Sequence, residues 1–267
     1  MPGEADKSRR VIALTGKDAL PFLQGLVTND VLPLTKSDGI VWAALLSPQG
    51  KYLADFFVLR TAAGLMLDLP EPLADATLRR LSMYRLRADV AFAATDLQVT
   101  RGLSDAPADA LTDALADPRH PALGWRSYGT SATGDPGIDW DAICVQHLIP
   151  QTGSDLIPDE TYVLEAGFER LHGVDFRKGC YVGQEVTARM KHKTDLRKGL
   201  TRLLIDGAAP IGSDITADGK TVGTLGTQSG GRALAHVRHD RIGGDMVAGS
   251  ARLRADPTVT GSDSGAL

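Results

Sequence analysis

The sequence predicts an α+β protein in which a region of mixed strands and helices is followed by a small β-barrel. Three observations support this fold class. Two apolar runs around residues 40–59 flank the turn Ser47–Gly50, as in a hairpin. The segment Glu71–Arg87 carries apolar residues at helical spacing. After Leu200, short apolar strands alternate with Gly and Asp turns, which is typical of a small barrel.

The elements can be assigned in order along the chain. Pro21 is compatible with the first helix because it lies in the first turn. The predicted helices are Ala19–Leu26, Glu71–Arg87, Trp140–Leu148 and a helix beginning at Gln184. The predicted strands are Val11–Leu14, Ile40–Leu46, Lys51–Leu59, Leu65–Leu69, Asp89–Ala93, Leu97–Thr100, Leu203–Ile205, Asp214–Thr216, Thr221–Gly226 and Arg232–Val237. Residues 104–137, rich in Ala, Asp, Pro and Gly, are predicted to form a surface connector.

Composition excludes several classes of function. No run of about 18 apolar residues is present, so no membrane span or membrane partner is expected. The first residues lack the apolar core of an export signal, and the two cysteines form no disulfide framework. A cytoplasmic protein is therefore expected. The net charge of −4 and the 5% aromatic content predict no stable nucleic-acid binding.

The stretch Asp175–His192 has the richest chemistry in the chain. Cys180 lies between Gly179 and Gly183, shortly before the predicted helix. A helix N-terminus and the neighbouring cations Arg177 and Lys178 favour the thiolate form of a cysteine. The alternative is a small buried hydrophobe in an ordinary turn. Cys144, on the predicted helix Trp140–Leu148, is expected to be a core residue.

The run Lys178–Glu185, KGCYVGQE, resembles the signature octapeptide of the YgfZ-type folate-binding proteins. These are relatives of the aminomethyltransferase T-protein of the glycine cleavage system. Further blocks resemble the same family in the same order, and they are Phe22–Asp30, Leu46–Phe56, Tyr84–Val90 and Lys220–Thr227.

The resemblance implies an aminomethyltransferase-like folate-binding region over residues 8–195 and a small C-terminal barrel over 196–256. The tail over 257–267 is rich in Ser, Gly and Asp and is expected to be mobile. It implies tetrahydrofolate, or a one-carbon derivative, as cofactor, and iron–sulfur enzymes or their assembly factors as partners. Cys180 is the implied catalytic residue, acting as a redox thiol, a transient ligand or a nucleophile.

The folate residues implied in the same way are Asn29, Asp55, Glu165, Lys178, Tyr181, Gly183, Gln184, Glu185 and Arg189. Glu165 stands where the relatives place a carboxylate that accepts hydrogen bonds from the pterin ring, and paired acceptor oxygens suit that ring edge. Arg189 and its neighbours form a cluster of seven Lys or Arg between residues 177 and 198, against two acids. This cluster is either a solvated face or a receptor for a folate glutamate tail or an anionic partner.

Two alternatives stay open. A non-catalytic folate-binding scaffold requires only that Cys180 is packed. An authentic aminomethyltransferase is less favoured, because its adjacent acids are reduced here to Ala54-Asp55. No metal site is expected: His236 and His239, three residues apart, lack further ligands and are interpreted as structural or surface residues.

Overall fold

The computed structural model describes residues 3–103, 114–130, 137–193 and 196–259. The chain divides into two compact units, each assembled from separate stretches. The first comprises residues 1–49, 53–138 and 171–184, and the second comprises 50–52, 139–170 and 185–267. The boundaries predicted at 195/196 and 256/257 stay predictions. Most of the predicted tail, and just under half of the predicted connector, lie outside the described residues. The prediction of a surface connector is wrong for residues 125–129, which form a strand whose first four residues are buried. The reason is that Arg126 and Tyr128 bond the buried carboxylate of Asp68, which lies far away in the sequence.

In its described residues, the first unit has two antiparallel β-layers and two α-helices. Its elements are β1 (Glu4–Ala5), β2 (Arg9–Thr15), α1 (Ala19–Gln24), β3 (Gly39–Leu46), β4 (Tyr52–Thr61, whose first residue belongs to the second unit), β5 (Gly64–Pro70), α2 (Glu71–Tyr84), β6 (Ala91–Ala94), β7 (Gln98–Gly102), β8 (Leu115–Ala116) and β9 (Trp125–Gly129).

The larger sheet has the order β3-β4-β5-β2-β6. It confirms the predicted hairpin, since β3 and β4 are neighbours, and the third strand follows beside them. Leu23, Leu45, Phe56 and Leu67 are fully buried in the core that this sheet shares with α1 and α2. The helix α2 ends at Tyr84, before the predicted end at residue 87. The reason is that Leu86 has a φ of +44°, which cannot continue a right-handed helix.

The smaller sheet, β1-β7-β9-β8, is tied to the larger one by a buried carboxylate. Asp68 on β5 accepts hydrogen bonds from Arg9 Nε at 2.6 Å, from Arg126 Nη2 at 2.9 Å and from the Tyr128 hydroxyl at 3.0 Å. The Arg126 guanidinium also lies 4.5 Å from the centre of the Phe57 ring. These contacts satisfy a fully buried charge, which would otherwise destabilise the fold.

The second unit contains a closed six-stranded antiparallel barrel with the order β10-β13-β12-β11-β14-β15, closed by pairing of β10 with β15. Its elements are α3 (Trp140–Gln146), α4 (Gln184–Lys193, whose first residue belongs to the first unit), β10 (Lys198–Asp206), β11 (Asp214–Ala217), β12 (Lys220–Ser229), β13 (Arg232–Arg238), β14 (Met246–Ala248) and β15 (Ala251–Ala255).

The predicted barrel is confirmed, and its interior is filled by small and branched side chains from alternate positions such as Ala233, Ala235 and Val237. The strands β14 and β15 were not predicted. They are short, and β15 carries two arginines, so neither forms an apolar run that the sequence could indicate. No helix in the described part of the chain is long and apolar enough to cross a membrane.

Candidate functional site

The loop that carries the octapeptide is fastened to the segment that follows α1. Thr28 donates its hydroxyl to the carbonyl of Gly173 at 2.6 Å, and the amide of Asp175 donates to the Thr28 carbonyl at 3.1 Å. Asn29 donates its side-chain amide to the carbonyl of His172 at 2.6 Å. The loop is thus held at several points by two residues of the Phe22–Asp30 block.

Lys178 anchors the octapeptide itself. Its side chain turns inward, and Nζ donates to the carbonyl of Gln24 at 2.8 Å and to that of Val27. The ammonium also lies 4.9 Å from the centre of the buried Tyr181 ring. Burial lowers the pKa of Lys178 to about 8. In this arrangement the inward-facing side chains of Lys178 and Tyr181 fix the position of the loop. Their predicted role in binding folate stays a prediction.

Cys180 is exposed, whereas Cys144 on α3 is buried, as predicted. Gly183 has a φ of +84°, a conformation that glycine adopts without steric cost, and α4 begins at the next residue. An anchored loop that presents an accessible thiol is chemically suited to transient bonding with a partner's metal or sulfur atom.

Two of the three α4 residues predicted to bind folate contact each other, and the third, Gln184, begins the helix. Glu185 and Arg189 form an ion pair of 2.8 Å one helical turn apart, with 84% and 62% of their side chains exposed. Lys191 pairs with Glu169 at 2.7 Å. Exposed pairs of this kind are weak and open readily for a stronger ligand. The side chain of Lys193, another member of the predicted cluster, lies outside the described residues.

Glu165 lies in the second unit beside the barrel. Its carboxylate Oε2 is 3.0 Å from Nε2 of His236 on β13, and its backbone carbonyl accepts from the amide of Leu200 at 2.7 Å. His236 also lines a cavity of about 200 Å³, together with Glu160, Thr161 and other residues of this unit. Burial lowers the pKa of the neighbouring His239.

The partnership between Glu165 and His236 was missed by the sequence analysis, which assigned His236 only a structural or surface role. The two residues are 71 positions apart, and no local pattern joins them. One signal was present: along β13, Ala233, Ala235 and Val237 point into the barrel, so His236 must point outward.

A half-buried acid lies in the wall of the same cavity. Asp155 accepts from the amide of Thr227 at 3.0 Å, from the Thr227 hydroxyl at 2.7 Å and from the amide of Gln151 at 2.9 Å. Burial raises the pKa of Asp155 in spite of these hydrogen bonds. The carboxylate therefore connects the turn at residues 151–156 to β12.

Two further predicted residues meet at Trp42 in the first unit. Asp55 is buried, and its Oδ2 accepts from the Trp42 indole nitrogen at 2.8 Å. Asn29 donates to the Trp42 backbone carbonyl at 2.8 Å. The neighbouring Ala54 is only 1% exposed. In the described part of the chain no group of three or more His, Cys, Asp or Glu side chains is arranged to hold a metal ion.

Comparison with solved structures defines the class of fold. The crystal structure of glycine cleavage system aminomethyltransferase T from Bartonella henselae matches with a TM-score of 0.70, covering 97% of this chain and 87% of that one. The sequence identity is 17%, so the likeness concerns the fold. The chain therefore has the aminomethyltransferase fold expected from the octapeptide, and residues 197–260 match the CAF17 C-terminal beta-barrel domain.

Comparison with curated proteins defines the family. The human iron–sulfur cluster assembly factor IBA57 is 31% identical over 276 residues, covering 89% of this chain and 78% of the relative. The IBA57 homologue of Mycosarcoma maydis is 30% identical over 221 residues, covering 73% of this chain. The chain belongs to the IBA57 family, whose relation to the YgfZ-type proteins confirms the resemblance. It spans about half the length of the Mycosarcoma relative, 55%.

The expectation of a cytoplasmic protein is wrong by this comparison. The human and fungal relatives are named as mitochondrial, which contradicts that expectation. A missing apolar core counts only against a secretory signal. Mitochondrial targeting uses amphipathic, arginine-rich segments, and free cysteines do not distinguish the two compartments.

Proposed function

We propose that this protein is an accessory factor for the assembly or repair of iron–sulfur enzymes, that it acts through Cys180 and that it binds tetrahydrofolate. The observation that carries the proposal is the exposed thiol on an anchored loop, in a chain of the IBA57 family. One cysteine cannot hold a cluster alone. Cys180 therefore acts with a partner, as a transient ligand or a redox thiol, or as a nucleophile toward a one-carbon unit.

Glu165 is the residue best suited to hold the folate ring. Its side chain is 16% exposed, and Oε2 lies 3.0 Å from Nε2 of His236. Each carboxylate oxygen can accept more than one hydrogen bond, so paired N–H groups of an aminopyrimidine edge fit beside the imidazole. Bound tetrahydrofolate would supply a carrier for one-carbon units. Of the other implied residues, Asp55, Asn29 and Lys178 already serve internal hydrogen bonds.

The role of Cys180 is tested by substitution in cells lacking the native gene. We expect Cys180→Ser to abolish rescue of iron–sulfur enzyme activity while the purified variant keeps its melting temperature, because the side chain is at the surface. Cys144→Ser is the matched control, since it changes the only other cysteine, and we expect it to rescue. Full rescue by the Cys180 variant would remove the thiol from the mechanism.

Folate binding is tested by anaerobic titration of the purified protein with tetrahydrofolate. We expect saturable binding that Glu165→Ala weakens by about tenfold, the loss of one charge-assisted hydrogen-bond pair. Glu169→Ala, which removes an exposed acid four residues further on, should bind like the parent protein. Absence of binding at about millimolar tetrahydrofolate would contradict the proposed folate site, and the chain would then share the fold without the ligand.

The second candidate is a non-catalytic folate-binding scaffold. The observation that favours it is the inward packing of Lys178 and Tyr181, which gives the octapeptide a structural use. Alkylation of Cys180 at the rate of a free model thiol would support this candidate, because an activated thiolate reacts at lower pH.

Aminomethyl transfer is supported less well. Ala54 is buried, and the carboxylate of Asp55 is bonded to an indole. Release of ammonia and methylene-tetrahydrofolate from an aminomethylated carrier protein would support aminomethyl transfer as the function.

A further inference from the structure

The end of α2 and the turn after it form an exposed surface that the proposed function does not use. We name Arg79, Met83, Arg85, Leu86 and Arg87 the α2-end surface. Met83 is 75% exposed and Leu86 is 89% exposed. Beside them an open groove of about 610 Å³ is lined by Asp75, Leu78, Arg79, Ser82 and Met83. Two large apolar side chains in water three positions apart, next to a groove, are characteristic of a contact surface.

Leu86 is held in a conformation that its side chain disfavours. The amide of Ala88 donates to the carbonyl of Arg85 at 2.7 Å, so Leu86 and Arg87 occupy the two central positions of a tight turn. The φ of Leu86 is +44°, a value favoured by Gly, Asn and Asp. Any of those three residues would adopt this backbone conformation with less strain than leucine. Strain of this kind points to a use for the side chain itself.

The charge on this surface has one sign. Residues 79–87 contain four arginines, and no acid occurs between residues 76 and 88. Within the described residues none of these four arginines forms an ion pair. By contrast, Arg10 on the strand β2 pairs with both Glu71 and Asp75 in the first part of α2. The chain as a whole has a net charge of −4, so these arginines without ion pairs form a local positive patch that attracts an anionic surface.

We propose that the α2-end surface docks an acidic protein surface that carries an exposed apolar side chain, with Leu86 and Met83 at the centre and the arginines around them. Arginine around an apolar centre is typical of protein interfaces. A bilayer is a poorer match, because the apolar face of α2, with Ala74 and Leu81, is already buried in the core. RNA is also a poorer match, because the one aromatic side chain of the stretch, Tyr84, packs against the core.

The test uses the full chain and a fluorescein-labelled acidic helical peptide of roughly 18 residues with two leucines on one face. A second peptide carries serine in place of both leucines. We expect saturable binding of the first peptide, weaker binding of the second, and further weakening by salt. The charge variant Arg79→Glu/Arg87→Glu should lose about tenfold in affinity. The control Arg252→Glu/Arg254→Glu, which reverses two exposed arginines on β15, should not change it.

Leu86→Asn separates a contact role from a structural one. Asparagine tolerates a positive φ, so the melting temperature should stay equal or rise, while peptide affinity falls. A lower melting temperature with unchanged affinity would overturn the proposal. It would also be overturned if neither peptide binds up to about 1 mM. Stronger binding to phosphatidylserine vesicles or to poly(U) that the same variants abolish would assign the surface to lipid or RNA instead.

Discussion

At the residue scale, the octapeptide combines two opposite environments within three positions. Lys178 is buried and bonded to the carbonyls of Gln24 and Val27, while Cys180 is exposed to solvent. A buried ammonium is costly unless it is hydrogen-bonded, so its partners fix where the chain must run. The thiol is thereby presented at a defined place instead of moving with a free loop.

We expect Lys178→Met to lower the free energy of unfolding by about 2 kcal/mol, because two buried carbonyls lose their donor. Hydrogen exchange of residues 172–183 should quicken at the same time. Chemical denaturation of the variant measures the first effect. The control is Arg177→Met, whose side chain is 96% exposed and should change stability by less than about 0.5 kcal/mol. Equal effects at both positions would show that Lys178 does not anchor the loop.

Asp256 illustrates a pH effect at the same scale. Burial raises its pKa, but hydrogen bonds from Thr258 and from Arg202 Nε, 2.7 Å away, bring the pKa down to about 2. Because folding lowers this pKa from 3.8, the unfolded chain binds more protons between those values. The stabilisation is therefore present above about pH 4 and is lost as the pH falls toward 2.

In Asp256→Asn we expect lower stability at neutral pH, since Arg202 is left buried without its partner. The wild-type protein should lose about 2 kcal/mol of its free energy of unfolding in acid through protonation of Asp256, and this loss should be absent in the variant. Urea denaturation between pH 2 and 6 measures both effects. Asp214→Asn, an exposed acid on β11, serves as the control. An unchanged acid slope in the Asp256 variant would contradict the assignment.

At the element scale, the barrel depends on a close approach between β12 and the turn at residues 151–156. Gly226 on β12 has no side chain, and an added Cβ would lie 2.0 Å from the Asp155 carboxylate. That carboxylate bonds Thr227 on the same strand. The glycine is therefore required by packing and not by a positive φ.

We expect Gly226→Ala to lower the free energy of unfolding by about 2–4 kcal/mol, because the methyl group displaces the Asp155 carboxylate from its hydrogen-bond donors. Gly243→Ala is the control, since its Cβ would meet open space and should leave stability nearly unchanged. Thermal unfolding of both variants is the measurement. Similar melting temperatures for the two would mean that the turn moves aside at little cost.

At the scale of the whole molecule, the aminomethyltransferase fold persists at 17% identity, while the family is that of IBA57. Fold alone does not determine chemistry, so the likeness to aminomethyltransferase T does not assign its reaction to this chain. The resemblance implies two adjacent acids at positions 54 and 55, and the first of these positions holds a buried alanine in this chain.

Family membership predicts functional replacement. Directed to the mitochondria of human cells depleted of IBA57, the chain should restore iron–sulfur enzyme activity in part, since the two proteins are 31% identical. Enzyme activity in isolated mitochondria is the measurement, with the Cys180→Ser variant expressed at equal level as the inactive control. No restoration by the parent chain at matched abundance would count against a shared function.

The sequence by itself determined the α+β class, the barrel, the family and each helix and strand that it predicted, but not the strand β9, which lies within the predicted connector. These depend on local periodicity, turn residues and a contiguous motif, all of which are present in the linear order. The strands β14 and β15 were not predicted because their apolar patterns are too short to indicate a strand.

Only the tertiary structure decided which side chains meet. It paired Glu165 with His236, brought Asn29 and Asp55 to Trp42, and buried Lys178 while leaving Cys180 exposed. The physical reason is that burial and hydrogen bonding depend on neighbours that are distant in the chain. The same lysine is a free cation in water and a structural anchor once two carbonyls surround it.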